Sequence, residues 1–299
     1  MTRRTSLTRR ARHLAALSVA TLLTLTPTAH AADTVTIFDG DGGLIQQTCG
    51  ATTEQIRIDA SSFPSMSACF GMAKPTGWIA TKITGSYGVV NNLTVPAHIA
   101  FKLPDGAVYW QETVAPGKVT TIDVGRTGST VVEIQVTPVA TSTGPATGTL
   151  TPSTDTAPNY ISLRQATTPT AGRILRVNWN GITTTAMDRN AGFTDRLDGS
   201  FKVIPALDGS SCISLESAAY PGTYLTAPTA TTLSLSHTPQ PNRATWCPAP
   251  AATPATAQQL RLAADQTKTL AATTTGAVTL AGTTATGTAW FVDTALARP

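Results

Sequence analysis

The chain is short of histidine. Of four, His13 and His30 fall within the first 31 residues, leaving only His98 and His237. His98 sits in a strand pattern and His237 in a Ser-His-Thr-Pro turn, and no Gly-x-Ser-x-Gly elbow surrounds any serine. A Ser/His/Asp mechanism is therefore excluded as a reading. Charge is also scarce, at 13 % of residues. Five of the 21 Lys+Arg lie in the first 31 residues, which hold no acidic residue. The remaining 16 face 17 Asp+Glu, a net charge of −1. The high isoelectric point belongs to that N-terminal piece, and no basic stripe remains for nucleic acid.

Long apolar runs are missing too. The longest, Leu14–Leu25, is too short and too rich in threonine to span a membrane. It follows a basic stretch and precedes Ala29-His30-Ala31, so it reads as an export leader cleaved after Ala31. The expected location is secreted and extracellular. Cysteine is limited to Cys49, Cys69, Cys212 and Cys247. Neither close pair has zinc spacing. Of the three possible connectivities, Cys49–Cys69 and Cys212–Cys247 give one disulfide per half, whereas cross-pairing would tie two domains across a linker. The run Phe38–Gly43 (FDGDGG) lacks the further ligands of a calcium loop and reads as a turn. No metal or cofactor is expected.

Threonine, alanine, glycine and proline are what is abundant, as in secreted β-rich domains with many turns. Residues 137–158 hold eight threonines and four prolines and almost no large apolar side chain. Such a segment reads as a semi-extended linker. It separates a domain over 32–136 from a second over 159–299. The first alternates like half-buried strands at Val35–Ile37, Gln55–Ile58, Trp78–Ile83, His98–Leu103, Val119–Val124 and Val131–Val136. Turn residues such as Pro104-Asp-Gly106 separate these runs, which predicts an antiparallel β-sandwich.

The second domain is a threefold repeat. Four apolar columns align: Leu163, Leu215, Leu262; Leu175, Leu225, Leu270; Ile182, Leu233, Val278; and Phe201, Trp246, Trp290. The step between units is 44 to 52 residues in every column. Repetition at that period means supersecondary units sharing one core. Units of short strands, three in number, predict a closed β-trefoil. The expected fold class is all-β throughout.

The run Ser214–Leu225 (SLESAAYPGTYL) falls in register with this repeat and resembles the repeat motif of the AbfB domain. That is the arabinose-binding β-trefoil of α-L-arabinofuranosidases, also called carbohydrate-binding module family 42. Unit one repeats the pattern in Ser162-Leu-Arg164, Arg173–Arg176 and Leu197–Val203. The resemblance covers residues 160–299. It implies sugar pockets that use an aspartate before the Thr-Phe pair and a histidine after the Tyr-Leu-Arg step. The aspartate is kept as Asp198, but units two and three have Arg243 and Gly287 there, and the histidine positions are Val177, Ala227 and Ala272.

Asp198 is thus either an acceptor for sugar hydroxyls or a turn residue. Trp179 can stack on a sugar ring while Asn178 and Asn180 bond its hydroxyls, or it can be core. Tyr220 and Tyr224 belong to the matched motif and serve its packing more than recognition. Two carboxylates facing across a cleft would be needed for glycoside hydrolysis. Most of the candidates Asp59, Asp105, Glu112, Asp123 and Glu133 sit in turns or alternate outward on strands, where a solvated role is the default. The resemblance therefore implies weak, non-catalytic binding of an arabinose-containing polysaccharide. The rival readings are a cell-envelope structural or adhesion protein with a trefoil scaffold, and an α-L-arabinofuranosidase with its catalytic part in the first domain.

Overall fold

The computed structural model describes residues 35–103, 109–122, 128–137, 146–178 and 181–299. The stretch that reads as a leader, together with Asp105, Asp123, Trp179 and Asn180, lies outside the described residues. Strand takes 49 % of the described residues and helix 4 %, so the class is all-β, as the alternating runs predict.

The first lobe consists of β1 (Thr36–Gly40), β2 (Leu44–Gln47), β3 (Ile56–Ala60), β4 (Ser67–Met72), β5 (Gly77–Asn91), β6 (Ala97–Lys102), β7 (Tyr109–Val114), β8 (Lys118–Thr121) and β9 (Ser129–Val136). The 15-residue β5 serves two groups of strands. Its first half pairs with β1 and β9, its second half with β3 and β8. The register breaks between Ala80 and Ser86, where Gly85 has a φ of 66°; such irregularities bend a strand. β6 and β7 extend one group beyond β9, and β4 and β2 extend the other beyond β3. Ile56, Ile58 and Phe70 from one group meet Ile79, Ile99 and Ile134 from the other in a single core. Cys49 and Cys69 are joined as expected. Because side chains alternate along a strand, Ile99 and Phe101 of β6 enter this core while His98 and Ala100 face the opposite way.

The second lobe contains β10 (Tyr160–Gln165), β11 (Ile174–Asn178), β12 (Gly181–Thr185), α1 (Phe193–Asp198), β13 (Phe201–Pro205), β14 (Ile213–Ser217), β15 (Tyr224–Thr226), β16 (Ser234–Ser236), β17 (Trp246–Pro250), β18 (Gln258–Leu262), β19 (Asp265–Ala272), β20 (Val278–Gly282) and β21 (Trp290–Thr294). Six strands close a ring in the order β10, β13, β14, β17, β18, β21 and back to β10. Between ring strands each unit inserts a hairpin: β11–β12, β15–β16 and β19–β20. All twelve column residues meet in one core. No unit could bury its own apolar face, which is why the repeat closes on itself. The indole N–H of Trp246 donates to Leu225 O at 3.1 Å, and that of Trp290 to Leu270 O at 3.0 Å. Unit one carries Phe201 there and has no such donor. Cys212–Cys247 staples unit two.

Residues 146–159 contribute no strand of their own but lie along the barrel. Thr147 bridges Asp293, Ser153 N–H donates to Val203 O, and Asn159 Nδ2 donates to Thr149 O and Thr151 O. Leu150 packs on the barrel core. Hydrogen bonds, with the packing of Leu150, order this threonine-rich stretch.

A seam joins the lobes. Phe193 and Leu197 of α1 pack with Ala100, Tyr109 and Val132 of the first lobe. Beside them the Arg196 side chain is 1 % exposed and that of Glu133 3 %. The guanidinium forks onto Glu133, with Nη2 to Oε1 at 2.7 Å and Nη1 to Oε2 at 3.0 Å. Its other three N–H groups go to Gln135 Oε1, Leu296 O and Ala191 O, so all five donors are used. Arg189 stacks 3.6 Å above the Trp78 ring and reaches Glu133 at 3.4 Å. Glu133 alternates away from the first lobe's core, as its sequence pattern predicts. The side it faces is the second lobe, not solvent.

Candidate functional site

Unit one gathers charge on the flank of the barrel. Asp198 is not in a turn: it is the last residue of α1. The helix has no side-chain cap of its own at Gly192. Instead Gln111 of the first lobe accepts the Phe193 N–H at 2.7 Å, the role an N-cap side chain ordinarily fills. At the other end Ser200 Oγ donates to Arg196 O. Residues three and four apart share a helix face, so Phe193, Arg196 and Leu197 enter the seam while Asp195 and Asp198 face β11.

There Arg176 meets both carboxylates. Its Nε and Nη2 donate to Asp198 Oδ2 at 3.2 and 3.0 Å, and Nη2 also donates to Asp195 Oδ1. Asp198 is 13 % exposed at its side chain against 49 % for Asp195. Burial pushes the Asp198 carboxyl above its ordinary range, against the pull of Arg176. Its Oδ1 is left out of the pairing and remains an acceptor. Asn178 lies two residues from Arg176 on the same strand face. Trp179 and Asn180 cannot be placed, being outside the described residues.

Tyr220 comes to this cluster from unit two. Pro221 and Gly222 (φ 79°) occupy the centre of a turn closed by Thr223 N–H to Tyr220 O at 3.1 Å, the pattern of a type II turn. Thr223 Oγ1 and Ser217 Oγ secure it further. The exposed Tyr220 phenol has its pKa raised by desolvation and then by the charge of Asp198, with Arg176 opposing. Tyr224 lies on β15 opposite Glu216 and Ser236 and makes no hydrogen bond with Arg176 or Asp198. Arg176 and Asp195 were absent from the candidates read in the sequence. The position after Leu175 in the motif points to the first, and the i, i+3 spacing from Asp198 to the second.

Units two and three are built differently at the matching places. Ala227 N–H donates to Arg243 O and Ala272 N–H to Gly287 O, so positions 243 and 287 are equivalent in space. Arg243 Nη1 turns back on Ala227 O at 3.2 Å. Gly287 has a φ of 76°, and a Cβ there would overlap the Ala272 carbonyl oxygen. Val177, Ala227 and Ala272 all belong to the barrel core. Gly287→Asp, which would put a carboxylate where unit one has one, should lower stability by at least ~1–2 kcal/mol from the left-handed backbone alone. A melting temperature equal to that of the wild type would show that the loop can yield.

The three described carboxylates among the hydrolysis candidates are engaged elsewhere. Asp59 pairs with Arg57, Glu112 accepts the Trp110 indole N–H, and Glu133 is the seam anion. Among the described residues no group of three or more His, Cys, Asp or Glu gathers to hold a metal ion, and no helix is long and apolar enough to cross a membrane.

Residues 163–272 match the family model of the Alpha-L-arabinofuranosidase B (ABFB) domain. No curated protein sequence matches the chain. Among solved structures, an arabinofuranosidase complexed with arabinofuranosyl-alpha-1,2-xylobiose is 16 % identical, with a TM-score of 0.43 over 74 % of this chain and 52 % of that one. A GH54 a-l-arabinofuranosidase soaked with a cyclic sulfate inhibitor is 17 % identical, with a TM-score of 0.42 over 74 % and 53 %. The designed threefold symmetric protein ThreeFoil is 10 % identical, with a TM-score of 0.35 over 45 % and 97 %. This chain spans about half the length of the arabinofuranosidase structures it matches. The family match falls on the repeat that carries the Ser214–Leu225 motif and Asp198, and it is residues 163–272 of the C-terminal half that carry the AbfB likeness.

Proposed function

We propose that the protein is a secreted, non-catalytic carbohydrate-binding protein that holds arabinofuranose side chains of polysaccharides such as arabinoxylan. The closed ring with its three inserted hairpins reads as a β-trefoil, and the first lobe, its two strand groups sharing one core, reads as a β-sandwich. Two disulfides and the leader-like N-terminus support an extracellular location. The observation that carries the binding reading is the AbfB match together with Asp198 and Arg176 of unit one and Tyr220 of unit two beside them. Asp198 Oδ1 accepts from sugar hydroxyls, Arg176 donates to ring or hydroxyl oxygens, and Tyr220 offers an apolar face. With the matching places in units two and three filled or closed, one site works alone. It lacks the avidity that linked pockets supply.

Retention of the protein on insoluble arabinoxylan tests this. Asp198→Ala should weaken it about 10- to 100-fold, the worth of one hydrogen bond to a charged group. Absence of retention by the wild type on any arabinose-bearing polymer would sink the binding reading. The scaffold reading, which the closed unit-two and unit-three places favour, would then stand. Release of nitrophenol from a nitrophenyl arabinofuranoside would refute the non-catalytic part.

A further inference from the structure

The face of the first lobe that carries His98 and Ala100 is covered by α1 only in part. Beyond α1 the seam opens into a cavity of about 290 Å³, lined by His98, Gln111, Gln135, Thr137, Asn190 and Ala191. We propose that this cavity is a second binding site, for one neutral polyhydroxylated molecule the size of a single sugar. The inference is independent of the AbfB site, which lies on the opposite face of α1.

Size sets the first limit. The volume is at the lower end of the ~300–1,000 Å³ usual for small-molecule sites, so one ring fits and a chain does not. Charge sets the second. Among the described residues no carboxylate lines the walls to receive a cation. The nearby cations Arg196 and Arg189 are turned onto Glu133 and backbone carbonyls, leaving none for an anion. Seams between lobes are also where such sites tend to form.

The remaining hydrogen-bonding capacity suits hydroxyl groups, which donate and accept at once. His98 Nδ1 lies 2.9 Å from Thr113 Oγ1, and Nε2 lies 3.0 Å from Thr137 Oγ1. A neutral imidazole donates through one nitrogen and accepts through the other. Exchange of tautomers therefore switches Thr137 between acceptor and donor, and its hydroxyl can answer a ligand hydroxyl either way. Burial and the Arg196 charge both push the His98 pKa down, keeping the ring neutral. Gln111 spends Oε1 on the Phe193 N–H, but its amide nitrogen bonds to no described residue. It therefore offers donors to the cavity. Gln135 is a wall rather than a contact, since Nε2 goes to Arg189 O and Oε1 receives Arg196. Ala191 adds a small apolar patch for the C–H side of a ring.

The test follows the His98 ring signals by NMR in the whole protein, assigned by their loss in His98→Gln. The probes are D-xylose, methyl β-D-xyloside, D-galactose and methyl α-L-arabinofuranoside. A saturable shift with at least one probe is expected in the wild type and equally in Asp198→Ala. It should vanish in Ala191→Leu, which fills the cavity, and in Thr137→Val, which removes the switching hydroxyl. Equal shifts from xylose and its methyl glycoside would support the site as one for a linked sugar. A shift from xylose alone would support it as one for the free sugar. No shift with any probe overturns the proposal. So does loss of the shift in Asp198→Ala, which would mean a signal relayed from the barrel, or its persistence in both seam variants. Asp198→Ala on arabinoxylan reports separately on the AbfB site.

Discussion

Replacing Glu133 by alanine lowers the melting temperature by on the order of 10 °C. The reason is what stays behind. Arg196 is 1 % exposed and uses two of its five donors on Glu133, so Glu133→Ala strands a guanidinium in the seam. Breaking a buried pair from one side costs about 3–5 kcal/mol, and each kcal/mol is worth about 2–4 °C in a protein of this size. Arg189, stacked on Trp78, loses its carboxylate as well. The double variant Glu133→Leu with Arg196→Met removes both charges and should recover much of the loss, because a well-packed apolar pair can replace a buried ion pair at little cost. The comparison is made by thermal denaturation of the three proteins. If the double variant falls as far as Glu133→Ala, the pair is stabilising in itself and the stranded-charge account is wrong. The six residues of α1 serve two places at once, holding Arg196 in the seam with one face and Asp198 beside Arg176 with the other.

That double duty of α1 was the part hardest to read from sequence. The repeat columns were legible because each is apolar in all three units and each lies in one core, so burial alone forces the pattern. β3, β6 and β9 were legible too: β3 alternates in burial as it does in sequence, while β6 and β9 alternate in sequence but are buried on both faces, because the second lobe covers the outer one. β2 and β4 were not, since β4 is buried through its middle and loses the period-two signature, and β2 is mostly exposed. α1 is too short to show helical periodicity, and its N-terminal cap is Gln111, 82 residues earlier in the chain. Nothing near Asp198 announces a partner so remote. Glu133 shows the same limit. Alternation told which face it occupies, but what covers that face is a tertiary fact. The Asp198 site was half legible: the motif located Asp198 and Tyr220, while the ion pair that draws Asp198 toward Arg176 depends on the hairpin lying across the helix.

Trp290→Ala should destabilise the barrel by about 3–5 kcal/mol, the usual cost of emptying a buried tryptophan site. Trp290 is fully buried, sits in register opposite Gln165 and Gln258 where unit three meets unit one, and so closes the ring. Two effects combine in that number, and Trp290→Phe separates them. Phenylalanine keeps most of the volume but leaves Leu270 O, now bonded by the indole N–H, without a partner. The carbonyl alone is worth about 1–3 kcal/mol when buried and unsatisfied. Unit one already lives with phenylalanine at this column, so its barrel strand tolerates the smaller ring. If the units are interchangeable in this respect, Trp290→Phe should cost clearly less than Trp290→Ala, and Trp246→Phe should match it. Chemical denaturation of the three variants decides. A Trp290→Phe cost equal to that of Trp290→Ala would mean the indole hydrogen bond, not the shared apolar column, holds unit three in the ring. The threefold repeat would then be a pattern of sequence more than of energy.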